Sequence, residues 1–305
     1  MRKASFDPGL TEKFISPITR AINPDGSFNV RREGTTWRDF HPYLHLINMS
    51  WPAFFATLVA GYTLANLLFA AIYFGLGPGQ LQGADSPAAF GRFLNDFFFS
   101  SHTLSTVGYG NIAPSGLAAN FVSAIEALIG VLGFAVATGL LFGRVSRPSA
   151  RIGFSRNLLV APYQDGQSLQ FRVVNRRANS LMDLEARVML MTVEPRDGQL
   201  QRRYDLLKLE RTQVMFLALT WTVVHPIDSD SPLWGKSPEE IARLQPEVMI
   251  LMKAYDDTFS QTVLARHSYT FPEFVLGARF APAFHADPAG EMVLDLPKVS
   301  DLASS

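Results

Sequence analysis

The chain has 305 residues, enough for about two domains of roughly 150 residues each. Its formal net charge is zero, which gives no electrostatic support for nucleic-acid binding, and the absence of cysteine excludes disulfides, thiol catalysis and cysteine-ligated metal sites. Only 18% of the residues are charged, below the ~25% typical of soluble domains, and the apolar excess is concentrated in particular segments.

The beginning of the chain is polar and rich in proline. Residues 1–36 predict an N-terminal cytoplasmic tail, and the lack of an early apolar stretch predicts that there is no cleavable signal peptide. Residues 37–48 mix aromatic and polar side chains, as a helix lying at a membrane surface does. A soluble amphipathic helix is the alternative, but the segment that follows favours the membrane.

Two long apolar segments predict membrane spans. Residues 49–74 carry no charge and would extend roughly 39 Å as a helix, enough to cross a hydrocarbon core of ~30 Å. Residues 117–143 carry one charge, Glu126, and are also long enough. Core helices of a large soluble protein are the weaker alternative, because such uncharged stretches are rare elsewhere. Together with the loop between them, the spans form a predicted pore domain over residues 49–148.

The loop between the spans contains the most specific motif. Residues 93–104 are apolar and aromatic and predict a short re-entrant pore helix. It leads into a predicted potassium selectivity filter of five residues: Thr106, Val107, Gly108, Tyr109 and Gly110. Irregular backbone at membrane depth must be surrounded by protein, so we expect four copies of this loop around one axis.

The chemistry of this filter depends on backbone carbonyl groups. Carbonyls of Thr106, Val107, Gly108 and Tyr109 would replace the water around K⁺, and the Thr106 hydroxyl would add a lower ring of oxygens. Gly108 and Gly110 permit the positive φ angles that such alignment needs. The Tyr109 ring is expected to point outward against the pore helix.

The second span carries residues predicted to support and gate the pore. A charge at Glu126 is costly in a membrane, so we expect it to accept hydrogen bonds behind the pore helix, with ion binding as the alternative. Gly130 and Gly139 are candidate hinges or close-packing positions. Phe134 and Phe142 share one helix face and predict a hydrophobic gate, with lipid or helix packing as the alternative.

Basic residues set the expected orientation. Arginine and lysine flank the two spans on their outer sides in the sequence, and only Arg92 lies between them. This distribution places both termini in the cytoplasm, in a cell (inner) membrane.

Residues 149–305 have a different pattern of apolar and polar residues. Short apolar, β-branched runs, among them residues 169–174, 186–193, 214–224 and 248–253, alternate with turn sequences such as Asp165-Gly166. Strands at this spacing predict a β-sandwich. Ser237-Pro238-Glu239-Glu240 predicts the start of a short helix.

Several motifs together resemble the inward-rectifier potassium channels, and in particular their prokaryotic (KirBac) branch. The resemblance runs from Trp37 to about Phe284 and is carried by Trp37-Arg38-Asp39, Ser50-Trp51-Pro52, Ser146-Arg147-Pro148, Phe154-Ser155, Thr220 to Asp228, Asp230 to Leu233, and Ala265 to Tyr269.

The resemblance implies a homotetrameric, non-enzymatic channel with an immunoglobulin-like cytoplasmic sandwich, K⁺ as permeant ion and no cofactor. It also implies modulation by membrane lipids, whether anionic lipids generally or phosphoinositides. Candidate lipid contacts are Trp37, Arg38, Arg144, Arg147 and Arg151, with ordinary positive-inside anchoring as an equally good interpretation of the arginines.

Departures from the family pattern predict weak rectification. Phe134 stands where strong rectifiers carry an acid, so the main site for Mg²⁺ or polyamine block is missing. Glu185 and Asp257 match acidic positions of the cytoplasmic pore, whereas Gln213 replaces a third. Ser149 follows the linker proline where animal relatives have basic residues, which speaks against phosphoinositide activation of the animal type.

A further departure lies beside the filter. His102 occupies the pore-helix position where many relatives have a glutamate, and we expect it to support the filter. Because histidine changes charge near physiological pH, acid is predicted to alter conduction through His102. A neutral imidazole held by hydrogen bonds is the alternative.

Two other functions would be compatible with parts of the sequence. A two-span potassium channel gated by a soluble ligand on the C-terminal domain lacks support, because no glycine-rich phosphate loop or calcium-binding loop is present. A membrane-anchored enzyme could use His225 and Asp228, but no nucleophile motif accompanies this pair.

Overall fold

The computed structural model describes residues 9–11, 13, 20–34, 36, 39–146, 150–196 and 198–303. Trp37, Arg38 and Arg147 lie outside the described residues. The chain divides into two compact units, a helical unit of residues 34–147 and a β unit of residues 1–33 with 148–305.

The described residues of the helical unit form four helices and one small sheet. Its elements are α1 Pro42–Asn48, α2 Trp51–Leu76, β1 Leu81–Gln82, α3 Ala89–Leu104, β2 Ala113–Pro114 and α4 Leu117–Val145. Pro52 lies in the first turn of α2, where its missing N–H costs nothing, and Gly77 ends the helix with a φ of 96°. By length and composition α2 and α4 could each cross a membrane.

A compact apolar cluster joins α2, α3 and α4. It contains Phe69 and Tyr73 from α2, Phe99 and Leu104 from α3, and Ala119 from α4. Strands β1 and β2 pair antiparallel, with Leu81 opposite Pro114 and Gln82 opposite Ala113. Because they lie before α3 and after the predicted filter, their pairing fixes both ends of the loop that contains it.

The described residues of the β unit form two five-stranded sheets, which make up the β-sandwich that the sequence predicts. Its strands are β3 Ile152–Phe154, β4 Leu158–Tyr163, β5 Gly166–Asn175, β6 Leu181–Arg196, β7 Gln199–Leu206, β8 Gln213–Phe216, β9 Thr220–Ile227, β10 Glu247–Asp256, β11 Gln261–Thr270, β12 Phe274–Leu276, β13 Phe284–Ala286 and β14 Met292–Leu294. One sheet has the order β11-β10-β6-β7 with β8 on β6. The other has the order β12-β4-β5-β3 with β9 on β5, and β13 pairs with β14 separately.

The alternation of side chains explains why the two sheets pack. Along β10, Val248, Ile250, Met252 and Ala254 are buried in the main apolar core, together with residues of β5, β6 and β9. The prediction of one strand over residues 214–224 is wrong, because the chain leaves β8 at Phe216 and starts β9 at Thr220, with Leu217 buried between them.

Short helical segments complete the β unit. In the part of the unit that the structure describes, they are α5 Pro238–Arg243 and the 3-10 helices Phe271–Glu273 and Leu296–Ser300. The predicted helix start at Ser237 is confirmed, since its side chain accepts a hydrogen bond from the Glu240 N–H and the Glu240 carboxylate accepts one from the Ser237 N–H.

The N-terminal segment is part of the β unit. The buried Glu247 carboxylate accepts hydrogen bonds from the backbone N–H groups of Ala21 and Ile22, at 2.8 to 3.2 Å. The Ser268 hydroxyl donates to the Ile22 carbonyl at 2.7 Å, and Arg20 pairs with Glu273. Residues 20–22 are therefore anchored to β10 and β11.

Candidate ion-conduction site

The backbone of the predicted filter alternates in conformation. Thr106, Gly108 and Gly110 have φ angles of 61°, 57° and 80°, so every second residue is left-handed. In an ordinary strand successive carbonyls point to opposite sides, whereas this alternation turns them toward the same side. The sequence indicated positive φ only for the two glycines. Thr106 was missed, and for a β-branched residue this conformation is strained.

The end of α3 holds the predicted filter loop in place. The carbonyl of His102 accepts hydrogen bonds from the N–H groups of Val107 and Gly108, at 2.9 and 3.2 Å, and the Thr103 carbonyl accepts one from Thr106 at 3.0 Å. Carbonyls in the last turn of a helix have no partner within the helix, so the loop satisfies them. The backbone of His102 therefore holds the predicted filter loop irrespective of its side chain.

The side chain of His102 meets the ring of Tyr109. Their ring centroids are 4.7 Å apart and the planes cross at 83°, an edge-to-face contact. This contact fixes the side of the loop on which Tyr109 lies, namely against α3.

A buried polar network lies behind α3. Glu126 on α4 is fully buried and accepts hydrogen bonds from the Tyr73 hydroxyl at 2.6 Å and the Ser100 hydroxyl at 2.5 Å. Tyr73 belongs to α2 and Ser100 to α3, so one carboxylate joins three helices. Two further hydrogen bonds link α2 and α3: one from the Ser100 hydroxyl to Asn66 Oδ1, at 3.0 Å, and one between the hydroxyls of Tyr62 and Ser101, at 2.9 Å.

Sequence reasoning missed the partners of Glu126. The available signal was the presence of polar residues within an uncharged span, since Asn66 and Tyr73 are seven residues apart and share a face of α2. Both are buried on the side of α2 that faces α3.

The two predicted hinge glycines lie in different surroundings. A Cβ built at Gly130 would lie 2.1 Å from the Leu104 carbonyl oxygen at the end of α3, so Gly130 allows close helix packing. A Cβ built at Gly139 would meet no atom of the described residues within 4 Å. Phe134 and Phe142, the predicted gate residues, are 76% and 71% exposed in the single chain.

The other predicted site residues are distributed over both units. Arg144 lies in the last turn of α4, where its guanidinium contacts the backbone of residues 46 and 49, and Arg151 is exposed just before β3. Glu185 lies opposite Lys253 on the neighbouring strand and forms an ion pair with Arg187, with 2.7 Å between Oε1 and Nε. Asp257 is exposed directly after β10.

The histidine considered for catalysis has a structural environment. His225 is buried, with Nδ1 2.6 Å from the Lys208 carbonyl oxygen and Nε2 2.9 Å from the Ser231 hydroxyl oxygen. Burial lowers the pKa of His225 below its ordinary value. Ser231 is also buried, and a carbonyl rather than Asp228 orients the imidazole, so the serine is not presented to a substrate.

The architecture defines a class of protein. Two helices long enough to span a membrane flank a short helix and a loop whose carbonyls turn to one side, which is the arrangement of a potassium-selective ion channel. A family model described as "Ion channel" matches residues 54–147, and one described as "Inward rectifier potassium channel C-terminal domain" matches residues 152–304.

Individual relatives agree with these matches. The chain is 35% identical to the inward rectifier potassium channel Kirbac3.1 of Paramagnetospirillum magnetotacticum over 288 residues, covering 93% of this chain and 96% of that protein. It is 25% identical to the mouse G protein-activated inward rectifier potassium channel 3, covering 91% of this chain and 76% of that protein. The chain belongs to the inward rectifier potassium channel family. It is a membrane channel rather than an enzyme, and it conducts K⁺ passively.

Proposed function

We propose that four copies of the chain surround one axis and that K⁺ crosses between their filter loops. The carbonyl oxygens of Thr106, Val107, Gly108 and Tyr109 coordinate the dehydrated ion, and the Thr106 hydroxyl adds the lowest ring. The alternating left-handed residues carry this proposal, because they turn successive carbonyls to one side of the backbone.

Substitutions at two glycines test the proposed filter. Gly108 and Gly79 both have positive φ, 57° and 78°, and a Cβ at either would meet no described atom within 4 Å in one chain. Gly108→Ala is expected to abolish barium-sensitive ⁸⁶Rb⁺ uptake into liposomes, because strain in the filter misaligns its carbonyls. Gly79→Ala imposes similar strain outside the filter and is expected to retain uptake. Equal uptake by both variants would contradict the assignment, and chemical cross-linking of purified protein would show whether it is tetrameric.

We propose that the gate lies on α4 and that the β unit, which follows α4 in the chain, takes part in gating. Phe142 in the last turn forms a hydrophobic constriction, Phe134 lies two turns deeper, and Gly139 supplies a hinge that no described neighbour restricts. Phe142→Ala is expected to raise ⁸⁶Rb⁺ uptake by widening the constriction. Unchanged uptake would place the main gate elsewhere. The main role of Gly130 is to let α4 pack closely against the end of α3, and a bend of α4 at this glycine is a secondary role.

We propose an orientation with both termini in the cytoplasm and a modulating role for anionic lipids. The basic residues beside the spans support both statements. Candidate headgroup contacts are Arg151, which is exposed, together with Trp37, Arg38 and Arg147. Arg151→Gln is expected to weaken the response of ⁸⁶Rb⁺ uptake to the anionic lipid fraction, and an unchanged response would remove Arg151 from the contact.

We propose that the channel rectifies weakly. Phe134 offers no negative charge to a blocking cation, and Glu185 has Lys253 opposite it and Arg187 bound to its carboxylate. Phe134→Asp is expected to introduce voltage-dependent block by internal Mg²⁺ in bilayer recordings. If the wild-type channel already shows strong Mg²⁺ block, the proposal is wrong.

A further inference from the structure

The guanidinium of Arg144 binds two backbone carbonyls at the junction of α1 and α2. Its two terminal nitrogens donate to the carbonyl oxygens of Leu46, at 2.6 Å, and Met49, at 2.8 Å. Leu46 lies in the last turn of α1, whose final carbonyls have no partner within the helix, and Met49 lies between α1 and α2. Arg144 therefore caps one helix from the end of another.

Aromatic rings enclose the same guanidinium. Its central carbon lies 4.6 Å from the ring centroid of Trp51 and 4.6 Å from that of Phe54, both in the first turn of α2. A second contact lies one residue earlier, where a Cβ built at Gly143 would be 3.0 Å from the Tyr43 hydroxyl on α1. The last turn of α4 thus meets both α1 and α2.

These contacts leave Arg144 little capacity for a lipid headgroup. Both terminal nitrogens are bonded to carbonyls, and Nε is buried without a partner among the described residues. A headgroup contact needs an accessible charge, whereas the observed contacts need a planar group with two separated donors and two stacking faces.

We infer that Arg144 is a positioning residue that clamps the last turn of α4 to the junction of α1 and α2, and so fixes Phe142 two residues earlier. This inference rests on the proposed gate. With the clamp in place the constricting arrangement of the Phe142 rings is favoured. Without it the last turn of α4 populates more positions, and the constricted state is occupied less.

Lysine substitution separates the clamp from a charge effect. Lysine keeps the positive charge but has a single ammonium group, which cannot reproduce two separated hydrogen bonds and a stacked plane. Arg144→Lys is therefore expected to raise barium-sensitive ⁸⁶Rb⁺ uptake per tetramer about threefold or more, nearly as much as Arg144→Gln. Arg156→Lys, at an exposed arginine outside the clamp, is the matched control and is expected to keep wild-type uptake.

A second pair of variants changes the aromatic rings around the guanidinium and leaves Arg144 in place, in case the Arg144 variants fail to assemble. Phe54→Leu removes one stacking face and keeps apolar volume, and it is expected to raise uptake by a smaller factor. Phe55→Leu changes the neighbouring ring, which is half exposed and packs on Trp51 and Phe54, the two rings that lie over the guanidinium. It is expected to change uptake less than Phe54→Leu.

The outcomes distinguish the clamp from the gate. Uptake should be measured in neutral and in anionic liposomes, because a headgroup role would make Arg144→Lys equal to wild type in both. That result would overturn the clamp, as would equal uptake by Phe54→Leu and Phe55→Leu. If Phe142→Ala leaves uptake unchanged while Arg144→Lys raises it, the clamp holds and the gate lies elsewhere on α4.

Discussion

The helical unit and the β unit are stabilised in different ways. The β unit encloses a large apolar core between two sheets, whereas α2 and α4 leave many large apolar side chains exposed. Among the groups that the helical unit does bury are the polar side chains of Asn66, Ser100 and Glu126. The comparison teaches that the β unit completes its core within one chain. The helical unit depends on a few specific contacts, and lipid or further copies must cover the rest.

The largest expected effect falls on the contact between α4 and α3. Gly130→Ala would place a Cβ 2.1 Å from the Leu104 carbonyl oxygen, so α3 or α4 has to shift. Overpacking of this kind costs ~1–3 kcal/mol, and here it displaces the helix that holds the filter. We expect barium-sensitive ⁸⁶Rb⁺ uptake to be lost while the β-sheet signal in circular dichroism is kept.

Gly133→Ala is the matched control for that substitution, because Gly133 lies on the same helix and has no part in the proposed gate or hinge. The added Cβ meets no atom of the described residues within 4 Å, and alanine favours a helix over glycine by ~1 kcal/mol. The tetramer should remain intact. Loss of uptake in both variants would show that the contact at Gly130 is not the cause.

The next largest effect concerns the carboxylate that joins three helices. Glu126→Leu leaves the Tyr73 hydroxyl buried without its acceptor, at ~1–3 kcal/mol, whereas the Ser100 hydroxyl can still donate to Asn66 Oδ1 at 3.0 Å. We expect a lower thermal midpoint for the tetramer and reduced preference for Rb⁺ over Na⁺ in flux measurements.

Glu126→Gln should be milder, because its side-chain oxygen can still accept one hydrogen bond. Ser123→Ala, at a partly buried position of the same helix whose hydroxyl donates to the Asn120 carbonyl, should behave as wild type. If Glu126→Leu retains full selectivity, the network does not support the filter.

A smaller effect should be confined to the β unit. Burial lowers the pKa of both His225 and His267 from the ordinary value of 6.5. The unfolded chain therefore binds more protons, so stability is complete above about pH 6.5 and falls as the pH drops below that value. The thermal midpoint of the β-sheet signal should be lower at pH 5.5 than at pH 8.

Replacing one of these histidines should reduce the pH dependence of the thermal midpoint. His225→Gln is expected to reduce the difference between the two midpoints, whereas His285→Gln, at an exposed position on β13, should preserve it. An unchanged difference in His225→Gln would show that this histidine is not responsible.

The smallest expected effect concerns the ring contact beside the filter. Protonation of His102 would place a positive charge beside Tyr109, whose ring centroid is 4.7 Å away. We expect the ⁸⁶Rb⁺ uptake of wild type to change between pH 5.5 and 8 and that of His102→Gln to change less. Identical pH curves for the two proteins would contradict this prediction. Residue 102 would then contribute to the predicted filter only through its backbone hydrogen bonds.

Much of the architecture could be predicted because it depends on local patterns. Uncharged length identified the two long helices, and strand-sized apolar runs identified the sandwich. The errors have physical causes. Thr106 adopts a left-handed conformation because hydrogen bonds to the end of α3 impose it, and the buried turn after Phe216 interrupts an otherwise continuous apolar run.

The sequence alone determined the class of fold and the family resemblance, and it predicted the position of the filter, because an apolar span and a glycine-spaced loop are properties of neighbouring residues. Only the tertiary structure decided the partners of Glu126, the close contact of Gly130 and the capping role of Arg144. Arg144 and Leu46 are 98 positions apart in the chain. Such contacts leave no local pattern, because they arise only when separate helices pack together.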